Sequence, residues 1–331
     1  MILLTGVAGF IGFHTAKALL EQGEKVIGID NLNDYYDPAL KQGRLEKLEP
    51  YKDLFTFYKT DIADQKAIET ILQKHPDITQ ITHLAAQAGV RYSIRNPQDY
   101  TKSNLIGHMV MLEAARQLHD QGQLNHFIYA SSSSIYGGNT KKPFSVDDQV
   151  NNPVSLYAAT KRSCELLTQS YSHLYRVPST GLRLFTVYGT WGRPDMAYYY
   201  FTKNILEGKP IKVYNHGNMR RDFTWIEDIV DGILGALERP PAETSKYIIG
   251  ASPHRIFNLG NNKSEKLLDF IEIIEESLGK KAKKEMHDMA PGDVQETYAD
   301  IDTAKEVFGY NPQTPISEGI PKFVEWYQSR N

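Results

Sequence analysis

The chain has 331 residues, 41% of them hydrophobic and 23% charged; that composition excludes a fibrous or disordered polymer, and the length allows one large core plus a smaller second lobe. A net charge of -3 provides no broad positive field, which argues against nucleic acid as a partner, and no run of about 18 apolar residues offers a membrane span. Cys164 is the only cysteine, so there is neither an intrachain disulfide nor a multi-cysteine metal site; no metal is expected, and a reducing, cytoplasmic setting fits.

The first apolar run, Met1 to Leu4, is too short for a signal peptide, so nothing is expected to precede the fold. It leads directly into Gly6-Val7-Ala8-Gly9-Phe10-Ile11-Gly12 and a helical stretch, Phe13 to Leu20, that stops at Gly23. In the order strand, glycine turn, helix, the glycines let the backbone approach a pyrophosphate while the helix N-terminus supplies N–H groups. A packing turn without a ligand is the alternative. The second strand, Val26 to Ile29, ends at Asp30, 18 residues after Gly12, where a carboxylate can accept hydrogen bonds from the hydroxyls of an adenosine ribose. A 2'-phosphate there would meet like charge, and the next residue is Asn31 rather than an arginine, so NAD is favoured over NADP.

Leu54 to Tyr58 reads as a third strand, after which Asp61, followed by Ile62, either edges the adenine or caps a helix. Ile81 to Ala85, Phe127 to Ala130 and Gly181 to Phe185 complete a series of short apolar runs alternating with helix-length segments. Strands buried on both faces read this way, joined by right-handed crossovers. The expectation is a Rossmann-like, doubly wound parallel α/β domain over residues 1–185.

At the carboxyl end of the fifth strand, where such sheets place ligands, stands Ala130-Ser131-Ser132-Ser133-Ser134-Ile135-Tyr136-Gly137. Ser132 is a candidate for chemistry, and a hydroxyl-rich turn capping backbone groups is the alternative. Tyr157 and Lys161 lie four apart in a helical pattern that reaches Tyr171, and so share one face. A free phenol has a pKa of about 10; a neighbouring ammonium, together with oxidised nicotinamide, favours the phenolate, which makes Tyr157 a candidate base. A Tyr and a Lys at this spacing are also ordinary surface neighbours, and it is Ser132 that singles the pair out.

Beyond residue 186 the chain turns Tyr- and Pro-rich, with 195–200, 208–214 and 312–315 expected to interrupt helices. Residues 186–331 therefore read as a smaller, interleaved substrate lobe, with Phe257 to Gly260 recrossing to the first domain as a strand. The basic run Lys280 to Lys284 reads as a solvated loop or helix face without a function.

With the glycine turn, serine run and Tyr–Lys pair in this order, the chain resembles the extended short-chain dehydrogenase/reductase superfamily over nearly its whole length. Members use a Ser or Thr, a Tyr and a Lys, roles that fall on Ser132, Tyr157 and Lys161. Gly28-Ile29-Asp30-Asn31-Leu32-Asn33-Asp34-Tyr35-Tyr36, Phe185-Thr186-Val187-Tyr188-Gly189, Gly192-Arg193-Pro194-Asp195-Met196-Ala197 and Arg220-Arg221-Asp222-Phe223-Thr224 are similar to segments of UDP-glucuronate 4-epimerases. The resemblance implies a tightly held NAD, regenerated in each turnover. Its contacts fall on Gly6, Gly9, Phe10, Ile11, Gly12, Asp30, Asn31, Asn33, Asp61, Ile62, Leu84, Ala85, Ala86, Gln87, Ser103 and Phe185, with Tyr157 and Lys161. For a UDP-sugar it implies Ser133, Ser134, Thr186, Arg193, Tyr214, Arg221 and Asp293, with Arg221 meeting the phosphates.

Ser133 and Ser134 fill the places where sugar 4,6-dehydratases carry an Asp-Glu pair, and UDP-glucuronate decarboxylases carry Glu where Ser134 stands. Ala290 and Pro291 replace an arginine that usually helps UDP-glucose 4-epimerases hold UDP. The implied reaction is C4 epimerisation of a UDP-sugar, UDP-glucuronate above others, through a 4-keto intermediate. Such an intermediate is a β-keto acid that can lose carbon dioxide, and Ser133, Ser134, Thr186 and Arg193 are candidates to restrain its carboxylate; for Arg193 a structural salt bridge is the alternative. A UDP-glucose or UDP-N-acetylhexosamine epimerase, a decarboxylase and a non-catalytic NAD-binding regulator stay open. The resemblance also implies a homodimer through helices near 100–118 and 153–175.

Overall fold

The computed structural model describes residues 1–242, 244–290 and 292–330. Six strands follow the expected apolar runs: β1 (Ile2–Thr5), β2 (Val26–Asp30), β3 (Phe55–Lys59), β4 (Gln80–His83), β5 (His126–Ser132) and β6 (Ser179–Leu184). A seventh strand, His254–Leu259, joins the same sheet beside β6, in the spatial order 254–259, β6, β5, β4, β1, β2, β3, every pairing parallel. Successive strands run from β1 out to β3, and the chain then returns to lay β4 against the other side of β1. That reversal opens a crevice at the carboxyl ends of β1 and β4, the place where open α/β sheets take their ligands.

The crossovers carry α1 (Phe10–Glu21), α2 (Pro38–Glu46), α3 (Gln65–Lys74), α4 (Val90–Arg95), α5 (Pro97–Tyr100), α6 (Gly107–Asp120) and α7 (Leu156–Tyr175). Strand alternation sorts the core into two sides. Leu3, Ile27, Ile81 and Phe127 pack with Ile68 and Ile71 of α3 and Met111 and Ala115 of α6. Their neighbours Ile2, Leu4, Val26 and Ile128 pack with Phe13 and Ala16 of α1 and with Ile229 and Ile233 of helix Ile226–Leu237. Because both faces are covered, β1, β2 and β6 are buried at every position, which is why residues 2–4 and 26–29 read as unbroken apolar runs, while β6 buries Ser179, Thr180 and Arg183 among its apolar residues. Each such Leu or Ile contributes about 1.5–3 kcal/mol by leaving water.

Residues 186–331 depart from the sequence reading in two places. Residues 195–200 do not interrupt a helix: Ala197–Leu206 is one. Its aromatic side chains hold it, Tyr198 edge-on to Phe323 at 4.8 Å between centroids and Tyr199 edge-on to Tyr327 at 5.1 Å. The basic run is neither loop nor helix face throughout, since Lys283–His287 forms a strand parallel to Pro210–Tyr214. Lys281 and Lys284 both reach Glu275. Burial works against that carboxylate, but the two ammonium groups and the Ala282 N–H hold it down at about 2.

Candidate active site

The crevice is a cavity of about 470 Å³ whose wall begins at the glycine turn. Gly6 has φ +77, and a Cβ on it would lie 2.8 Å from the Ala85 nitrogen; one on Gly12 would lie 2.0 Å from the Gly6 oxygen. Only hydrogen fits at either position, so the turn packs against the end of β4 and leaves its outer side open. No side chain caps α1 and its first turn holds no acidic residue. The free N–H groups and the positive end of the helix dipole therefore remain available to an anion.

Asp30 closes β2 with its carboxylate fixed from both sides, Oδ2 accepting from the Ala8 N–H at 3.1 Å and Oδ1 from the Leu32 N–H at 2.9 Å. Asn31, Asn33 and Ile62 line the wall beyond it. Asp61 does not: its Oδ2 takes a hydrogen bond from Lys102 at 2.7 Å and its Oδ1 one from the Ala63 N–H. It does not cap α3 either, a task done by Asp64 through the Ala67 N–H at 3.1 Å. On the opposite wall stand Leu84, Ala85, Ala86, Gln87, Ser103 and Phe185. The backbone of Gln87 is clamped by Asn104, which accepts from its N–H at 2.8 Å and donates to its carbonyl at 3.0 Å, while Gln87 Nε2 is buried with no hydrogen-bond partner among the described residues. An unmatched buried donor beside a glycine cradle fits a polar, phosphate-bearing cofactor along this wall.

Ser132, Tyr157 and Lys161 line the same cavity. Ser132 ends β5 and opens a 3-10 turn over Ser133–Tyr136, its Oγ accepting from the Ser134 N–H at 3.2 Å. Ser155 caps α7 through the Ala158 N–H at 3.1 Å, which places Tyr157 in the first turn at the cavity edge and Lys161 one turn deeper. Lys161 Nζ donates to the Ala130 carbonyl at 2.9 Å, so its ammonium is fixed against the same strand end that carries Ser132.

Ser133, Ser134, Thr186, Arg193, Arg221 and Asp293 line the remaining wall. Arg193 gives Nε and Nη2 to Asp195 at 3.0 and 2.6 Å, and Asp195 also accepts from the Tyr35 hydroxyl at 3.0 Å. Burial opposes the charge on Arg193, and the Asp195 carboxylate more than offsets it, raising its pKa. The salt bridge and the cavity position thus coexist in one residue. Arg221 Nη1 donates to the carbonyls of Arg220 and Gln295. Tyr214 does not line the cavity; its ring is covered at 4.2 Å by the guanidinium of Arg91, which pairs with Asp293 at 3.0 Å. Ala290 is half-buried, and Pro291 lies outside the described residues.

The residue reading missed Tyr35, Tyr36, Lys41 and Met196, which also line the wall, and Arg91 beside it. Tyr35, Tyr36 and Met196 stood within quoted motifs, yet nothing local showed that residues 31–44 and 189–197 face each other across the cleft. Their chief connector is Arg44, buried on α2, with Nη1 donating to the Ala8 carbonyl at 2.7 Å and Nη2 to the Trp191 carbonyl at 2.6 Å.

A parallel sheet that gathers a glycine turn, a serine-rich strand end and a helix carrying Tyr157 and Lys161 around one cleft defines an extended short-chain dehydrogenase/reductase. The chain belongs to the GDP-mannose 4,6 dehydratase family, whose model matches residues 3–323. It is 49% identical to Protein CapI of Staphylococcus aureus over 335 residues, 98% of each chain. With UDP-glucuronate 4-epimerase 1 of Arabidopsis thaliana it shares 46% identity over 337 residues, 99% of this chain and 76% of the plant protein. Among solved structures, the UDP-glucuronic acid 4-epimerase of Bacillus cereus in complex with UDP-glucuronic acid and NAD superposes with a TM-score of 0.89 at 36% identity, covering 100% of this chain and 99% of that one. Among the described residues no helix is long and apolar enough to cross a membrane.

Proposed function

We propose that the chain is an NAD-dependent UDP-sugar 4-epimerase acting on UDP-glucuronate to give UDP-galacturonate. The observation that carries this reading is the convergence of Ser132, Tyr157 and Lys161 on one cavity with the glycine cradle. Solved relatives containing NAD and UDP-glucuronic acid support it.

Gly6, Gly9, Gly12, Asp30 and Gln87 would hold NAD, which when bound accepts the C4 hydride and later returns it. Tyr157 takes the proton from the sugar O4 and gives it back after the sugar has turned over. Ser132 donates a hydrogen bond to that oxygen, and Lys161, anchored on Ala130, holds its charge next to the phenol. Arg221 meets the phosphates and keeps the nucleotide in place while the sugar swings, so that the other face of C4 is presented. Ser133, Ser134, Thr186 and the remaining N–H donors of Arg193 bind the sugar carboxylate and hold its C5 bond away from the orientation that releases carbon dioxide. Serines at 133 and 134, in place of acids, leave no carboxylic acid there to move protons at C5 or C6.

We place the protein in the cytoplasm as a homodimer joined through α6, with the helical turn Thr101–Ile106 that precedes it, and α7; their outer faces leave Ile106, Leu166 and Leu174 half or more exposed. The test of function is incubation of the purified protein with UDP-glucuronate, without added NAD, followed by NMR of the products. UDP-galacturonate is expected. A UDP-pentose, or preferred conversion of UDP-glucose, would overturn the substrate assignment, and NAD binding with no turnover would make the chain a regulator instead.

A further inference from the structure

On α7 the series Tyr157, Lys161, Glu165 continues one helix face at intervals of four. The first two line the cavity, while Glu165 lies beneath it, 1% exposed, and does not. Both of its oxygens are fully engaged. Oε1 accepts from the Ser131 hydroxyl at 2.7 Å and from Arg183 Nε at 2.9 Å; Oε2 accepts from Arg183 Nη2 at 3.1 Å and Arg162 Nη1 at 2.8 Å. Burial favours the neutral acid, but the Arg183 guanidinium overrides it and holds the group below the usual carboxylate range.

The partners of this carboxylate are placed with respect to Ser132. Ala130 and Ser131 are its two preceding neighbours, the one tied to α7 by Lys161 at 2.9 Å and the other by Glu165 at 2.7 Å. The 3-10 turn that begins after Ser132 ends at Tyr136, and there Arg183 Nη1 donates to the Tyr136 hydroxyl at 2.9 Å, which in turn donates to Asn258 Oδ1 at 2.7 Å. One ion pair therefore grips both ends of the segment 131–136, through Glu165 at the start and Arg183 at the close. A shift of α7 against the end of β5 would have to break it.

We propose that Glu165 and Arg183 form a buried brace that positions the Ser132 hydroxyl relative to Tyr157. Stability alone is a poor account of such a pair, because the cost of taking two charges out of water offsets most of their attraction. Geometry accounts for it better, since a misplacement of about 1 Å in a reacting group costs on the order of 100-fold in rate. The proposal rests on Ser132 as the hydroxyl that holds the sugar oxygen and is independent of which sugar is bound.

The test leaves the ion pair whole and cuts each arm separately. Ser131→Ala removes one hydroxyl while Arg183 and Arg162 remain on Glu165. It is expected to lower kcat by about tenfold or more, with KM for the UDP-sugar and the melting temperature nearly unchanged. Ser131→Thr, which keeps the hydroxyl, should restore most of the rate. Tyr136→Phe, which cuts the Arg183 arm, should lower kcat in the same manner. Kinetics are measured on whichever UDP-sugar the wild type epimerises, so a wild type that prefers UDP-glucose would overturn the substrate assignment and leave this test intact. Wild-type kcat in Ser131→Ala, or a loss that Ser131→Thr does not rescue, would overturn the brace; wild-type kcat in Tyr136→Phe would overturn the Arg183 arm.

Discussion

Arg44→Lys tests whether the two facing segments of the cleft are held by one buried guanidinium. Arg44 is fully buried and uses all five N–H donors. Nε reaches the Trp191 carbonyl at 3.1 Å; Nη1 reaches the Ala8 carbonyl and the Tyr36 hydroxyl, both at 2.7 Å; Nη2 reaches the carbonyls of Trp191 at 2.6 Å and Gly192 at 3.4 Å. A lysine ammonium is a compact point charge without the planar fork and cannot span these acceptors together, so about three of the five bonds are lost. Hydrogen bonds to charged groups contribute about 1.5–3 kcal/mol each, which puts the cost at about 5 kcal/mol, a large share of the roughly 5–15 kcal/mol that holds a typical fold. Urea unfolding followed by tryptophan fluorescence measures it directly, Trp191 being at the junction. Because the Ala8 carbonyl belongs to the glycine turn, the NAD retained through purification should fall as well. A stability loss under about 1 kcal/mol with NAD content unchanged would show that Arg44 does not hold the two segments together.

The remaining predictions concern the cradle, the base and the buried histidines. In Gly12→Ala the new Cβ would sit 2.0 Å from the Gly6 oxygen and 2.7 Å from its carbonyl carbon; the turn must open, and NAD affinity by calorimetry should fall by about 100-fold, equivalent to about 3 kcal/mol. Tyr157→Phe should lose about three orders of magnitude in kcat yet keep its NAD, the mark of a proton-transfer group and not a binding group; normal turnover would end the proposed mechanism. Burial lowers His14 to about 4 and His108, His126 and His254 to about 3. These groups stay neutral in the fold while the unfolded chain takes up protons below about 6.5, so stability is fully present above that pH and is lost as pH falls toward 4. At pH 5 each should cost about 2 kcal/mol, and a melting temperature equal at pH 7 and pH 5 would contradict the assignment.

What the sequence made legible divides according to how far apart in the chain the cause lies. The glycine turn, Asp30 and the Tyr157–Lys161 face each belong to one element or one strand–helix junction, so spacing alone exposed them, and strands covered on both faces announced themselves as apolar runs. Lys283 and Lys284 are exposed, as read, but were read as loop or helix because their strand partner, Pro210–Tyr214, lies some 70 residues back in the chain. Tyr198 and Tyr199 read as helix breakers because the rings that pack them, Phe323 and Tyr327, lie more than 120 residues onward. The same distance hid Arg44, whose acceptor Trp191 is 147 residues away, and the contact of Tyr35 with Asp195, 160 residues away. The family resemblance implied Tyr214 as a substrate contact, and only the placement of Arg91 over its ring shows a different neighbour.

Helix α7 shows why the most local of these signals was also the most chemical. It buries Thr160, Lys161, Glu165, Thr168 and Ser172 while Leu166 and Leu174 face outward, the reverse of what a helix needs to pack on a sheet. Most of these buried polar groups are matched: Thr160 has the Tyr157 carbonyl, Lys161 the Ala130 carbonyl, Glu165 Arg183 and Ser131, and Thr168 His108 at 2.9 Å, while the Ser172 hydroxyl has no hydrogen-bond partner among the described residues. A sequence selected for packing alone would place leucines where these residues stand. The inversion therefore points to selection for what the inner face does, holding a charge beside a phenol and a hydroxyl-bearing strand end in register with both. It also leaves Leu166 and Leu174 exposed on the outer face, the face through which the proposed dimer would form.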